Sequence, residues 1–391
     1  MSDITLSVNG FNANAQVSFA GGTGELAKAY EAYGRLGMGV NPEFAAGIFA
    51  QHYQKGNCDP LLVCRLGECL ILGIGMAQDL PQGVELLKRS LDAGCAEAAL
   101  HLAECALMGI GGSADAKAAE EFLKKGMELG SLEAKVRLAG LLFERQGKDD
   151  LYARELFRES AAAGSAAAAF ALGALFYFGI GTPSDDSQAR HYLSQSAQAG
   201  IPAARILLAG LLFYGRGGAK ESAAARQLLS GAETGNRIID GISHTLKGNL
   251  ESEENHEERA VSFWAEGARC GNGESLRQLG MAFLKGRGVP RDPRSGVLLL
   301  EESYRNAPDP ETAVEIAECC LKGTGMVRDC SRGYDLLNSL KDQSSPRVQF
   351  LLGCACYCGM GTAPDEVRGL ELLKRAAAAG YEPAVEYLKR I

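Results

Sequence analysis

Paired glycines recur along this chain at a nearly constant spacing, and no other feature of the sequence limits the fold as strongly. The stretch LGALFYFGIG, from Leu172 to Gly181, is an apolar helical pattern that ends in Gly-x-Gly. The pattern recurs at intervals of about 36 residues or about twice that, as expected of a structural repeat rather than a single catalytic loop. The first glycines of the recurring pairs are Gly73, Gly109, Gly179, Gly215, Gly286, Gly323 and Gly359. A second series has the same period: Gly94, Gly130, Gly164, Gly200, Gly235, Gly271 and Gly380.

One unit, residues 165–200, shows how each repeat is built. Apolar residues at three- and four-residue spacing, among them Leu172, predict a first helix, helix A, that ends at Gly179. A turn rich in Thr, Pro, Ser and Asp precedes a second helix, helix B, predicted over Gln188–Ala199. Gly173 follows the motif leucine, and a small residue there allows the two helices to approach closely. Equivalent positions in other units hold Gly67, Ala103, Ala139, Ala209, Gly280, Ala317 and Gly353.

Stacking of such helix pairs predicts an all-α fold, an α-solenoid of about nine to ten repeats, because a single pair cannot bury its own apolar surface. Residues 25–380 form the predicted solenoid, with a weaker first unit at 25–56 that contains Gly37-Met38-Gly39. Residues 381–391 are predicted to form a C-terminal capping helix. Residues 1–24 are expected to be an N-terminal arm, either short strands or disordered.

Composition limits the classes of partner. The net charge of −8 argues against a nucleic-acid binder, which needs a basic surface. A membrane span requires about 20 consecutive apolar residues, and no apolar run in the sequence approaches this length. The N-terminus shows no basic start followed by an apolar core, so no signal peptide is expected and the cytoplasm is the predicted location. Twelve cysteines, many at apolar helix positions, are consistent with reduced, buried thiols.

The sequence offers no motif for catalysis, a cofactor or a metal. Glycine-rich stretches at 109–117 and 215–220 lack the spacing of a phosphate-binding loop, and no Gly-x-Ser-x-Gly is present. Cys354, Cys356 and Cys358 form the densest thiol cluster, for which core packing is favoured over a redox or metal role. The histidines are scattered without a ligand motif: His52, His101, His191, His244 and His256.

The recurring pattern resembles Sel1-like repeats, relatives of the tetratricopeptide repeats. In the unit at 165–200 the matching residues are Ala168, Leu172, Gly173, Phe176, Gly179, Gly181, Asp186, Ala189, Leu193, Ala197 and Gly200. The resemblance implies a right-handed superhelix whose concave side binds proteins or peptides. It also includes a secreted branch with a disulfide in each repeat and a link to penicillin binding, from which this chain departs because most of its repeats lack a cysteine near helix B.

Large side chains just before the motif glycine are the first candidates for partner binding. Equivalent positions of successive repeats line up along a solenoid, so these side chains predict an aromatic and apolar stripe. Packing between adjacent repeats is the alternative explanation. The candidate residues are Leu72, Met108, Phe143, Tyr177, Phe178, Phe213, Tyr214 and Tyr357.

The unit at 236–271 is the second candidate. Gly241 is interpreted as replacing the motif leucine, and Phe263 as the core residue of helix B, so that the neighbouring Trp264 and the polar His244 are candidate contact residues. An acidic block follows helix A, with only His256 and Arg259 as nearby cationic groups: Glu251, Glu253, Glu254, Glu257 and Glu258. The block is either the solvated turn of a decayed repeat or an acidic contact or hinge.

The sequence therefore predicts a non-enzymatic scaffold or adaptor that binds a protein or peptide partner along the concave surface of its A helices, with no cofactor. The alternatives are a bacterial effector, a regulator of an envelope or peptidoglycan process, and a hydrolase-like β-lactam-binding protein.

Overall fold

The computed structural model describes residues 25–33, 41–144, 150–340 and 345–391. Within these ranges the secondary structure consists of helices without strands, as the repeat pattern predicts. The predicted N-terminal arm at 1–24 and the Gly37-Met38-Gly39 turn lie outside the described residues. The chain divides into two compact units, one up to Ala204 and one from Arg205.

The helices follow one another as antiparallel pairs. Their bounds are α1 Glu25–Tyr33, α2 Pro42–Gln54, α3 Pro60–Leu72, α4 Leu80–Asp92, α5 Ala96–Met108, α6 Ala116–Glu128, α7 Leu132–Glu144, α8 Asp150–Ala162, α9 Ala166–Phe178, α10 Asp186–Gln198, α11 Pro202–Tyr214, α12 Ser222–Leu229, α13 Arg237–Glu253, α14 Glu257–Arg269, α15 Gly273–Lys285, α16 Pro293–Asn306, α17 Pro310–Lys322, α18 Cys330–Ser339, α19 Pro346–Cys358, α20 Glu366–Ala378 and α21 Glu382–Leu388. The odd-numbered helices are the A helices and the even-numbered ones are the B helices.

Side-chain and glycine caps define the ends of the helices. Ser165 begins α9 by accepting a hydrogen bond from the N–H of Ala168, and Asp185 begins α10 by accepting from Ser187 and Gln188. Gly179 ends α9 with φ at 66°, a left-handed conformation that favours glycine. The predicted structural role of this glycine is confirmed.

The second glycine of the pair has a separate role, which is contact with the preceding repeat. A Cβ atom on Gly361 would lie 2.0 Å from the carbonyl oxygen of Cys330, at the start of the preceding B helix. The same relationship joins Gly325 to Pro293, at 2.1 Å. The turn of one repeat therefore packs directly on the backbone of the previous helix B.

Close approach of the two helices in a pair depends on the small residue of helix A. A Cβ on Gly173 would lie 2.7 Å from Cγ of Leu193, which is fully buried together with Leu172 and Leu175. Gly67, Gly280 and Gly353 face Leu87, Leu300 and Leu373 in the same way. The predicted packing role of these small residues is confirmed.

At the C-terminus, the short helix α21 lies within the segment that was predicted to cap the array. Phe350 of α19 contacts two tyrosines of this segment, Tyr381 at a ring-centroid distance of 5.4 Å and Tyr387 at 6.1 Å. The C-terminal segment therefore packs against α19 through these rings.

The helix pair α13 and α14 departs from the pattern, and the predicted register of this unit is wrong. The connection between α9 and α10 covers residues 179–185, whereas between α13 and α14 it covers only 254–256. Gly248 is the close-approach residue, because its Cβ would lie 2.5 Å from Cδ1 of Trp264. The motif-leucine position is therefore the residue before Gly248 and not Gly241. Trp264, not Phe263, therefore fills the core position that Leu193 fills in α10.

Candidate partner-binding face of the A helices

One face of each A helix carries the functional candidates. The second, sixth, ninth and thirteenth residues of a 13-residue helix lie on the same side, because they are separated by three or four positions. We call this side the A face and apply the numbering to α3, α5, α7, α9, α11, α15, α17 and α19, which have 13 residues each.

Among the candidates in the predicted stripe, those at the thirteenth position are the most open. Leu72, Met108 and Tyr214, which end α3, α5 and α11, expose 54%, 66% and 49% of their surface. Phe178, which ends α9, is half-buried and packs edge-on against Tyr177, with ring centroids 4.8 Å apart.

Candidates at the twelfth position are less accessible, because the helix turns their side chains by about 100° toward neighbouring helices. Phe213 is buried, at 6% exposure, so its role in this structure is packing. Phe143, Tyr177 and Tyr357 are half-buried. Leu72, Met108 and Tyr214 are therefore open at the thirteenth position, whereas Phe178 is half-buried like the candidates at the twelfth position. Leu107, at the twelfth position of α5, is exposed.

The two candidates from the departing pair α13 and α14 are not among these exposed residues. His244 is half-buried and its ring stacks on Phe263, at a centroid distance of 6.5 Å. Burial, together with Lys247, lowers the pKa of His244, which favours a neutral ring at neutral pH. Trp264 is buried and its Nε1 donates a 2.9 Å hydrogen bond to Oδ1 of Asn249, so its role in this structure is packing.

The acidic block has more cationic neighbours than the sequence suggested. Arg226 of α12 donates to Glu251 at 2.7 Å and lies 2.9 Å from Glu254, and Lys220 lies 2.5 Å from Glu253. Arg226 is the main cause of the lowered pKa of Glu251. Cations from the preceding repeat therefore engage the block in addition to His256 and Arg259, the nearby cationic groups that the sequence indicated.

A buried ionic cluster joins the A faces of α3 and α5. Arg65, the sixth residue of α3, donates from Nη2 to both carboxylate oxygens of Glu97, at 2.9 and 3.0 Å, and from Nη1 to Glu68 at 3.1 Å. Burial alone would lower the pKa of Arg65, but Glu97 and Glu68 outweigh it and raise that pKa. Nε2 of His101 lies 4.0 Å from Oε2 of Glu68.

The second unit has an ionic cluster at the same helix positions, with the charges exchanged between the sixth residue of one A helix and the second residue of the next. Glu315, the sixth residue of α17, accepts from Arg347, the second residue of α19. Glu318, the ninth residue of α17, accepts from both Arg347 and Lys322. Burial would raise the pKa of Glu318, but these two cations lower it below its ordinary value. Both clusters use the A face to tie one repeat to the next.

The repeats match a known family model. Its description is Sel1 repeat, and it matches residues 63–95, 96–131, 132–165, 166–201, 273–307, 310–345 and 346–381, which together are more than half of the chain. The chain belongs to the Sel1 repeat family. The unmatched residues 202–272 between these Sel1 repeats include the short helix α12 and the reduced connection of α13 and α14.

One solved structure supports the Sel1 repeat fold. The crystal structure of c5321, a protective antigen of uropathogenic Escherichia coli strains displaying an SLR fold, aligns with a TM-score of 0.67 and 20% identity, covering 92% of this chain and 77% of that chain. A Sel1 repeat protein from Oxalobacter formigenes aligns with a TM-score of 0.37 and 21% identity, covering 90% and 93%. The human IFIT1 dimer with PPP-AAAA aligns with a TM-score of 0.43 and 11% identity, covering 88% of this chain and 84% of that chain. Only the first alignment has a TM-score high enough to support the fold. A comparison with curated protein sequences gives no significant match.

The sequence reasoning missed the charged residues of the A face. Aligning the Sel1 repeats by position would have placed Arg65 and Glu97 on facing helices, since Glu315 and Arg347 occupy the same two positions. Asn249 was missed because the register of its helix was shifted. None of the helices in the described ranges is both long and apolar enough to cross a membrane.

Proposed function

We propose that this Sel1 repeat chain is a non-enzymatic scaffold that binds a protein or peptide partner on the A face of its helices. The observation that carries the proposal is the recurrence of exposed, large side chains at one repeat position, at Leu72, Met108 and Tyr214. Exposed apolar and aromatic side chains are typical of surfaces that bury a partner segment.

The contrast between neighbouring residues supports this assignment. Ile71 exposes only 8% of its surface and packs in the core, whereas Leu72, the next residue, projects from the helix. A side chain needed only for packing between repeats is expected to be buried like Ile71. The cytoplasm is the location that we propose, supported by twelve free thiols, six of them buried.

The proposal is tested by affinity capture from cells that express the protein, followed by identification of the captured proteins. Leu72→Glu with Met108→Glu places two charges on the A face and is expected to abolish capture of the specific partners. Val367→Glu is the matched control, because Val367 is 82% exposed but lies on the B helix α20. Equal capture by both variants, with unchanged helicity by circular dichroism, would overturn the proposal.

A further inference from the structure

We propose that the partner segment carries a lysine or arginine whose cationic group binds to Glu68 on the A face of α3. This inference rests on the proposed function and names the chemistry of the partner. It starts from a carboxylate that the chain itself leaves incompletely paired.

Glu68 is a buried carboxylate that shares the guanidinium of Arg65 with Glu97 in the part of the chain that the structure describes. Its surface is 3% exposed, and Oε1 has no hydrogen-bond partner within the described residues. Oε2 accepts from Arg65, but the second terminal nitrogen of Arg65 is already bound to both oxygens of Glu97. Two carboxylates therefore share one guanidinium, and an uncompensated buried charge is unfavourable.

The second unit shows which group completes such a site. Glu318 occupies the same ninth position in α17, and there each oxygen accepts from a different cation, Lys322 or Arg347. Lys322 is the thirteenth residue of its helix, four positions after Glu318. The thirteenth residue of α3 is Leu72, so the cation that satisfies Glu318 is replaced at Glu68 by an exposed apolar side chain.

The groups around Glu68 also favour an added donor. His101 of α5 has an Nε2 without a hydrogen-bond partner in the described residues, and so does the hydroxyl oxygen of Tyr33 of α1. Among the described residues, the charged or titratable groups near Glu68 include Arg65 on its own helix, Glu97 and His101 on α5, and Tyr33 on α1. An ammonium or guanidinium group supplies both the missing positive charge and several N–H donors.

The exposed side chains next to this site define the rest of the partner. Leu72 lies one helical turn from Glu68, and Met108 ends the neighbouring helix α5. Glu104, at the ninth position of α5, adds an exposed carboxylate. The matching segment has one basic side chain for Glu68 and an apolar side chain for the exposed pair.

Selection of phage-displayed random peptides on the full chain tests this inference. We expect the selected peptides to share a lysine or arginine next to an apolar residue. Replacing that basic residue by norleucine in synthetic peptides is expected to weaken binding at least about tenfold in Kd, as measured by fluorescence anisotropy. Glu68→Gln is expected to remove this discrimination, and Glu318→Gln, at the same repeat position, is the control that retains it.

A second pair of variants separates charge from apolar contact and does not depend on a buried substitution. Leu72→Lys places an internal cation four residues after Glu68, as Lys322 is placed after Glu318, and is expected to abolish the preference for basic peptides. Leu72→Gln removes the same apolar contact without supplying a cation and is expected to retain the preference. Should Glu68→Gln not fold, this exposed pair decides the question.

The outcomes distinguish this inference from the proposed function. Selection of no peptide at all contradicts the proposed function itself. Selection of peptides without a basic position, or a basic preference that persists in both Glu68→Gln and Leu72→Lys, overturns only the inference. Selection of neutral peptides by the wild type and of basic peptides by His101→Gln also overturns it, because a proton on His101 would then be the compensating charge.

Discussion

The indole Nε1 of Trp264 donates a 2.9 Å hydrogen bond to Oδ1 of Asn249. The amide nitrogen of Asn249 in turn donates to the hydroxyl of Tyr214, at 3.0 Å. A buried side chain of helix B is thus connected through one residue to an exposed side chain of the A face. Because Trp264 is the only tryptophan in the chain, its fluorescence reports on this connection.

The first prediction concerns that hydrogen bond. Asn249→Ala leaves the buried indole N–H without its acceptor, and we expect the free energy of unfolding to fall by about 1–3 kcal/mol. Chemical denaturation followed by tryptophan fluorescence measures this loss. Tyr214→Phe is the control, since it keeps the bond between Trp264 and Asn249, and we expect a change within about 0.5 kcal/mol. If Tyr214→Phe lowered the free energy of unfolding as much as Asn249→Ala, the hydrogen bond to the indole would not be the cause of the loss.

A second prediction tests the corrected register of α13. Gly248→Ala introduces a methyl group 2.5 Å from the Trp264 ring, and such overpacking is expected to destabilise the protein by about 1–3 kcal/mol. Gly47→Ala in α2 is the matched substitution, because nothing lies within 4 Å of its added Cβ. It is expected to stabilise by about 0.5–1 kcal/mol through helix propensity. Both values are measured by urea denaturation, and equal effects would contradict the register.

The pH dependence of stability is predicted from Glu318. Lys322 and Arg347 outweigh burial and lower the pKa of Glu318 below its ordinary value of 4.5. Its ionised form therefore contributes stability above about pH 4.5, and this contribution is lost as pH falls through the lowered pKa. We expect the difference in unfolding free energy between wild type and Glu318→Gln to be largest near neutral pH and to shrink in acid. A difference in unfolding free energy that does not change with pH would contradict the predicted contribution of these ion pairs.

Cys95 gives a fourth prediction, on thiol reactivity. A hydrogen bond from the Cys64 thiol outweighs burial and, together with the N–H of Ala98, lowers the pKa of Cys95 to about 6. Its thiolate therefore predominates above that pH. We expect its rate of alkylation by iodoacetamide, followed by peptide mass spectrometry, to rise with a midpoint near pH 6.

Cys64→Ala is the control for this prediction. It removes the hydrogen-bond donor and is expected to move the midpoint of Cys95 alkylation to higher pH. An unchanged midpoint would show that Cys64 does not activate Cys95.

Much of the fold was predictable because the residues that define each repeat act locally. Gly179 ends its helix because its own backbone adopts the left-handed conformation. Gly173 has no side chain, so the two helices of its own repeat can approach closely. The register of α13 was not predictable in this way. Gly241 was expected to replace the motif leucine, but with the shorter connection Gly248 is the close-approach residue, and the motif-leucine position is the residue before it. Only the contact with Trp264 identifies the correct glycine.

The sequence predicted a stripe of large side chains before the motif glycines. It did not predict which residues of that stripe are exposed. Ile71 and Leu72 are adjacent and chemically alike, and only the packing of the neighbouring repeat decides that the first is buried and the second exposed. The pairing of Arg65 with Glu97 joins residues of different repeats. Such pairs depend on how the repeats stack, which no single unit encodes.

The short connection between α13 and α14 gives one junction of the second unit ion pairs without the paired-glycine turn. Elsewhere, glycines such as Gly325 and Gly361 place the turn on the backbone of the preceding B helix. At this junction, Arg226 of the preceding helix meets Glu251 and Glu254 instead. Salt screens such partly exposed pairs but not backbone packing. Rising ionic strength should therefore loosen the array here before it affects the glycine-packed junctions, which makes salt concentration a selective tool for separating one repeat boundary from the others.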